Sequence, residues 1–476
     1  MSRFGRARGA AAGVAVVALT VACTPDAAPR PGQGPPSESA TPRESDPPVK
    51  KGPPPTPTPT ATTPTAPTPS PAARCEQPLV IATHQTRQPL RLSEEQARRL
   101  TDGAGGRRTV DSVAALVADP GALAVLPARR VGPRVRVAIV DGVHPLRRPA
   151  AYPIQVPADH CPPRPTTMTV VGDVMLGRRV AEAAGDQPGR QLRATAPRLR
   201  AADVTVGNLE STLSSAGAPT QGGDSFSVDP RAAGELVRAG FDVLSLANNH
   251  AGDFGPLALR LTVRRLERPG LDTFGAGPDL AVAREPSIVS RRGTTFGFVG
   301  FNAIGETPEA GPGRTGALSV SMPPRTGPLD RRELDRFLRD VRRTARRVDV
   351  VVAMPHWGTQ YTNVPEPIQR QVARELAVAG ADLVVGGHPH WVQGASTVDD
   401  TLVVHSLGNF VFDMDFMAET MVGLVLETVW WGDRLKAAEL VPYRMDASFT
   451  PRFVSWREGL PTLRLLWETS GPAFSP

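Results

Sequence analysis

A break in composition near residue 75 decides what this chain can fold into. From Thr24 to Pro71 the sequence is dominated by Pro, Thr, Ser and Ala, with Pro53-Pro54-Pro55-Thr56-Pro57-Thr58-Pro59 at its densest. Proline fixes φ and removes a backbone donor, and the tract has too few apolar side chains to bury. It is expected to stay disordered and extended, largely polyproline II, reaching on the order of 100 Å at about 3 Å per residue. The rest has globular composition: 40% of the 476 residues are hydrophobic, enough for a large core.

What precedes the tract reads as an export signal. Arg3, Arg6 and Arg8 lead into an apolar run from Ala10 to Ala22, 13 residues long. That is short for a membrane span and right for a signal peptide over residues 1–22. The run ends Leu19-Thr20-Val21-Ala22-Cys23, which resembles a lipobox with its leucine one residue further back than usual. Cys23 is the expected lipidation site, and residues 23–74 the tether from the outer face of the cell membrane; the alternative is plain secretion to the cell wall. Export implies an oxidising compartment. Cys75 and Cys161 bracket the next segment, so a disulfide is expected to staple a small α/β domain over residues 75–163, the alternative being two buried thiols.

Several function classes drop out. No apolar stretch reaches 18 residues, which excludes a multispanning membrane protein. Three cysteines exclude both a disulfide scaffold and a thiolate zinc module. The net charge of +7 comes almost wholly from arginine, with lysine only at Lys50, Lys51 and Lys436. The arginines are spread along helices and no nucleic-acid motif is present, so no nucleic-acid partner is expected.

Residues 164–476 alternate short apolar runs with amphipathic helical stretches, the pattern of a layered α/β domain. Strands are expected at Met168–Gly172, Asp203–Val206, Val243–Leu246, Thr295–Gly300, Val348–Ala353, Leu383–Val385 and Leu402–Val404. Helices are expected at Arg231–Ala239, Pro256–Leu266, Arg331–Arg347 and Pro367–Ala379, and a hairpin around Gly432-Asp433. In the small domain, Leu79–Thr83, Leu123–Leu126 and Val135–Val140 read as strands, with helices at Ser93–Thr101 and Val110–Ala118.

What ends the strands carries the chemistry. Asp173 follows the first; Asn208 and Glu210 the second; Asn248, Asn249, His250 and Asp253 the third. His356, then His388 and His390, then His405 and Asn409 follow later ones, placing five of the eight histidines at such ends. Open α/β sheets build their sites at the carboxyl ends of strands. Imidazole with carboxylate and amide oxygen points to one or two divalent ions, Mn, Fe or Zn. Gly386-Gly387-His388-Pro389-His390 is the sharpest element, since glycines let backbone approach an ion closely.

Six segments then resemble, in order, the CapA/PgsA family of poly-γ-glutamate capsule-synthesis proteins. They are Gly172-Asp173-Val174-Met175-Leu176-Gly177-Arg178, Asn208-Leu209-Glu210, Ala247-Asn248-Asn249-His250-Ala251-Gly252-Asp253, His356-Trp357-Gly358, Gly387-His388-Pro389-His390 and Ser406-Leu407-Gly408-Asn409-Phe410. The family is similar to the calcineurin-like metallophosphatases. The resemblance, over about residues 166–415, implies a four-layer α/β/β/α sandwich with a metal site at one edge. It implies metal ligands at Asp173, Asn208 or Glu210, Asn249, His356, His388 and His390, and His250 as general acid, with Asp253 beside it. Met175 stands where the phosphatases carry a first-motif histidine, and Gln360 where the family commonly has glutamate.

The implied chemistry is metal-assisted hydrolysis of a phosphoester or an anionic polymer, with Arg178 and Asn409 as candidate substrate contacts. The competing expectation is a non-catalytic scaffold or anionic-polymer-binding module within a membrane synthase or export complex.

Overall fold

In the computed structural model of the protein, residues 75–104 and 106–476 are described; the signal segment, Cys23 and the proline tract lie outside them. The fold is mixed α/β. Among the described residues, no helix is long and apolar enough to cross a membrane.

The N-terminal portion is built round the strand Cys75–His84, which pairs antiparallel with Leu123–Pro127, Val135–Val137 and Gln155–Ala158. Cys75 and Cys161 are joined by a disulfide. The helix Glu94–Thr101 begins where Ser93 caps it in a reciprocal box with Gln96. Two expectations need correction. The Val135–Val140 run is two strands, because at Ala138 the backbone bonds Ile81 and at Ile139 it switches to Leu90. The second helix starts only at Val113, capped by Ser112, while Thr109–Val110 pairs as a strand.

The core of this portion is not self-contained. Val80, Leu116, Ala124 and Leu126 share one cluster with Val429, Trp431 and Ala437 of the C-terminal hairpin. Polar bonds cross the same seam: Trp431 Nε1 donates to the Leu146 carbonyl at 2.9 Å and Gln85 Nε2 to the Ala438 carbonyl at 3.1 Å.

The remainder carries two large sheets. In the first, Asp272–Phe274, Val243–Ser245, Val204–Leu209 and Pro165–Val174 run parallel, followed by the antiparallel Val422–Trp431, Arg434–Met445 and Pro451–Phe453. In the second the order is Ser287–Arg291, Thr294–Asn302, Val350–His356, Leu383–Val385, Thr401–Leu407, Val392–Val398, with the middle four strands parallel.

Side chains alternate across each strand, so both faces of a sheet need cover. Met168, Val170, Val204 and Leu426 of the first sheet share a cluster with Phe298, Val350, Val352 and Val404 of the second. The opposite face of the first sheet packs Val171 and Val174 on Val180, Leu236 and Leu259 from helices. The opposite face of the second packs Val351, Ala353 and Val403 on Leu334, Phe337 and Leu376. Each fully buried Leu or Phe contributes about 1.5–3 kcal/mol, which fixes the helices Arg331–Ala345 and Pro367–Val378 on the sheet. The parallel strands of both sheets bring their carboxyl ends to one edge, where the polar residues collect.

Candidate metal centre

Asp173, Glu210 and His356 meet at that edge, all buried, with one ligand atom from each lying within 4.8 Å of the others. Asp173 ends the long first strand, Glu210 follows Val204–Leu209, and His356 closes Val350–His356 from the other sheet. The His356 Nε2 lies 2.8 Å from Glu210 Oε1 and 2.9 Å from Asn249 Oδ1, so three donor atoms from three elements converge.

Burying two acids together is costly unless something positive joins them. Burial and the neighbouring Glu210 push the Asp173 carboxyl up to about 7, and burial raises Glu210 as well. Burial pushes His356 and His390 down to about 4 and His388 well below its ordinary value. The imidazoles are therefore neutral at pH 7, the form that ligates a metal.

The orphaned atoms test the fit. Both ring nitrogens of His388 and the Glu210 Oε2 are buried with no hydrogen-bond partner. Buried polar atoms are normally satisfied, and such orphans in and beside an acid cluster suit a cation. The donors are imidazole nitrogen and carboxylate or amide oxygen, which suits Mn, Fe or Zn.

The glycine-rich turn delivers His388 and His390. A Cβ on Gly387 would lie 2.6 Å from Asp173 Oδ1, and one on Gly386 would lie 2.1 Å from the His405 carbonyl oxygen. His388 and His390 adopt φ of +93° and +58°, a region that non-glycine residues rarely occupy and that costs about 1–3 kcal/mol each. The His388 backbone N–H donates to Asp173 Oδ2 at 3.1 Å, and the His356 and His388 ring centroids are 5.0 Å apart.

Three residues expected at the site are engaged by protein partners. Asn208 directs Nδ2 at Asp173 Oδ1 (2.9 Å) and Glu210 Oε1 (3.3 Å), while its Oδ1 accepts from Asn248. It is a donor that holds the two acids, not an outward ligand oxygen. Asn409 is wholly buried; its Oδ1 faces His390 Nδ1 at 2.8 Å and its Nδ2 donates to the Thr420 carbonyl. Both ends of its amide are thus engaged within the protein, one of them on His390. Arg178 is held by Asp413 and Asp224 and lies 4.3 Å over the Phe226 ring, so its charge is already answered.

His250 and Asp253 come together. The His250 Nδ1 is 3.0 Å from Asp253 Oδ2, and the ring stacks on Phe226 at 3.9 Å. Asp253 also accepts from Gln221 Nε2 at 2.6 Å and from the Phe226 backbone N–H at 2.6 Å. This network engages Nδ1 of His250, and Nε2 is the ring nitrogen that Asp253 does not hold.

Four contributors escaped the sequence reading: Gln221, Phe226, Glu306 and Arg325. Glu306 Oε2 accepts from Asn249 Nδ2 at 2.7 Å and so fixes which end of that amide faces His356; Arg325 pairs with Glu306 at 2.5 Å. The signal for Glu306 was the strand-end rule itself, since Thr294–Asn302 ends four residues before it. Beside the centre an open cleft of about 550 Å³ is lined by Arg178, Asp224, Tyr361, Asp413 and Phe416, and Tyr361 stacks on His390 at 6.1 Å.

Residues 167–414 match the family described as "Bacterial capsule synthesis protein PGA_cap". The chain is 30% identical over 288 residues to the PGA biosynthesis protein CapA of Bacillus subtilis (strain 168), covering 60% of this chain and 68% of that one. It is 30% identical over 294 residues to the capsule biosynthesis protein CapA of Bacillus anthracis, covering 59% and 67%. Over 219 residues it is 28% identical to a probable polyglutamine synthesis accessory protein of Mycobacterium tuberculosis (strain ATCC 25618 / H37Rv), covering 45% and 57%.

Proposed function

This chain belongs to the bacterial capsule synthesis protein family PGA_cap, and on that premise we propose that it works in the biosynthesis of poly-γ-glutamate or another anionic envelope polymer, by metal-assisted hydrolysis. The observation that carries this reading is the buried Asp173–Glu210–His356 group with the orphaned His388 ring beside it. We read the two sheets and their flanking helices as the four-layer α/β/β/α sandwich of the metallophosphatases. In this reading the protein is exported and lipid-anchored through Cys23, at the outer face of the membrane, where it works with a synthase or export complex.

Asp173, Glu210, Asn249, His356, His388 and His390 are the residues that would hold one or two divalent ions. Such an ion would supply a Lewis acid and would lower the pKa of bound water towards about 7. Asn208 holds the two acids in place, and Glu306 aims the Asn249 oxygen inward. Asp253 keeps the proton of His250 on Nδ1 in the neutral ring, and the protonated imidazole gives a proton from Nε2 to the leaving group. Phe226 fixes the plane of that ring. Tyr361 and Phe416 wall the approach to His390.

One observation favours a non-catalytic scaffold instead. Met175, at the place of the phosphatase histidine, is wholly buried and its sulfur accepts from the Gly177 N–H at 3.0 Å, so it offers nothing to an ion. The discriminating experiment follows chain length of poly-γ-glutamate and release of phosphate from phosphoesters, using full-length protein loaded with Mn, Fe or Zn. Turnover that His250→Ala abolishes with metal retained supports the hydrolase; no turnover with any metal leaves the scaffold.

A further inference from the structure

The helix Arg331–Ala345 buries Leu334, Phe337, Leu338 and Val341 against the second sheet. Its opposite face carries Arg332, Arg336, Arg339, Arg343 and Arg346 at intervals of four, three, four and three. At 100° per residue these five fall on one narrow stripe, about 21 Å long at 1.5 Å per residue. Among the described residues, Arg332, Arg336, Arg339 and Arg346 have no ion pair, whereas Arg343 shares Asp340 with Arg284. The acids of the helix are committed elsewhere: Glu333 accepts from the Ser321 N–H, Asp335 from Arg331, and Asp340 is buried. A row of like charges at helical neighbour positions repels itself, so the stripe costs stability unless an anion lies along it.

The stripe also has a direction. Thr294–Asn302 and Val350–His356 are parallel neighbours, and the helix is the crossover between them. It therefore starts at the edge that holds the metal centre and runs away from it. Arg325, in the loop that leads into the helix, pairs with the Glu306 that anchors Asn249.

We propose that this arginine stripe is a docking track for a linear polycarboxylate, which it leads along the helix to the metal centre. The inference rests on the polymer reading above. Guanidinium is planar and pairs carboxylate through two parallel N–H groups, so regularly spaced side-chain carboxylates match it. A membrane surface is disfavoured by the same face: the apolar residues of the helix all point inward, leaving none to enter lipid.

The test is binding of sodium poly-γ-glutamate to full-length protein by calorimetry at low and high salt. Replacing Arg332, Arg336, Arg339 and Arg346 together by Gln is expected to weaken binding at least tenfold at low salt and to flatten its salt dependence, with helicity and metal content unchanged. The milder Arg336→Gln with Arg339→Gln should give an intermediate loss. Asp173→Asn, which removes a metal ligand, should abolish hydrolysis and leave the salt-dependent binding that the stripe supplies, so failure of hydrolysis and failure of the track are separable. Unchanged affinity in the fourfold variant overturns the proposal. So does an equal loss when Arg264 and Arg268, on another helix, are replaced, and so does binding to phosphatidylglycerol vesicles without binding to the polymer.

Discussion

The Nδ1 of His250 sits 3.0 Å from Asp253 Oδ2, and Asp253 is itself fixed by Gln221 and the Phe226 backbone. A buried carboxylate in that position selects one tautomer of the neutral ring and fixes its orientation. His250→Ala is expected to lower kcat by about 10²–10⁴-fold, the usual worth of a positioned acid or base. Asp253→Asn, acting through the ring, should lower kcat with KM little changed and displace the pH profile. Both variants should keep their metal, measured by elemental analysis alongside the kinetics.

Metal uptake should release a proton. Without a cation, Asp173 is held at about 7 by burial and Glu210, whereas His356 and His390 lie at about 4. Near pH 7 the histidines are already neutral and give up nothing, while the acids must lose a proton to ligate. Zinc affinity is expected to fall as the pH drops from about 8 to about 5. Calorimetry in two buffers of different ionisation enthalpy reads the proton directly.

Gly387→Ala should empty the centre without unfolding the chain. Its Cβ would stand 2.6 Å from Asp173 Oδ1 and 3.1 Å from His356 Nδ1, inside contact distance of two ligands. Loss of bound metal with an unchanged far-ultraviolet spectrum is the expected result.

Stability at low pH should report the seam between the N-terminal portion and the hairpin. Glu439 Oε1 meets His144 Nε2 at 3.2 Å, and the nearby charges of Arg136 and Arg147 help hold its carboxyl far below the ordinary value of 4.5, against the cost of burial. A depressed carboxyl contributes stability that is full above its unfolded pKa and is lost as the pH falls through the folded one. Glu439→Gln removes the carboxylate that meets His144 and whose charge offsets that of buried Arg136, and is expected to cost about 1–3 kcal/mol at pH 7. Denaturant titrations should show the gap to wild type closing below about pH 4.5.

The strand-end residues were legible because topology does the work: parallel strands deliver whatever follows them to one edge. Asp173, Glu210, His356 and His388 needed only that rule. Helices with an uninterrupted apolar face were legible for the same reason, as Arg331–Ala345 shows. Side-chain allocation was not. Asn208 and Asn409 carry ligand-type atoms, yet Asn248 and Thr420 claim parts of them, and no spacing in the sequence announces such long-range bonds. Arg325 and Gln221 come from irregular loops, which have no periodicity to read. The split of Val135–Val140 depended on a change of pairing partner at Ala138, a tertiary event.

We propose that Asp173, Glu210, His356 and His388 together hold a metal. Elemental analysis of full-length protein purified without added metal, beside His388→Ala, tests it most directly. One or two equivalents of Mn, Fe or Zn, reduced in the variant, is the expected result. A protein that holds no such metal and takes up none on titration would contradict it.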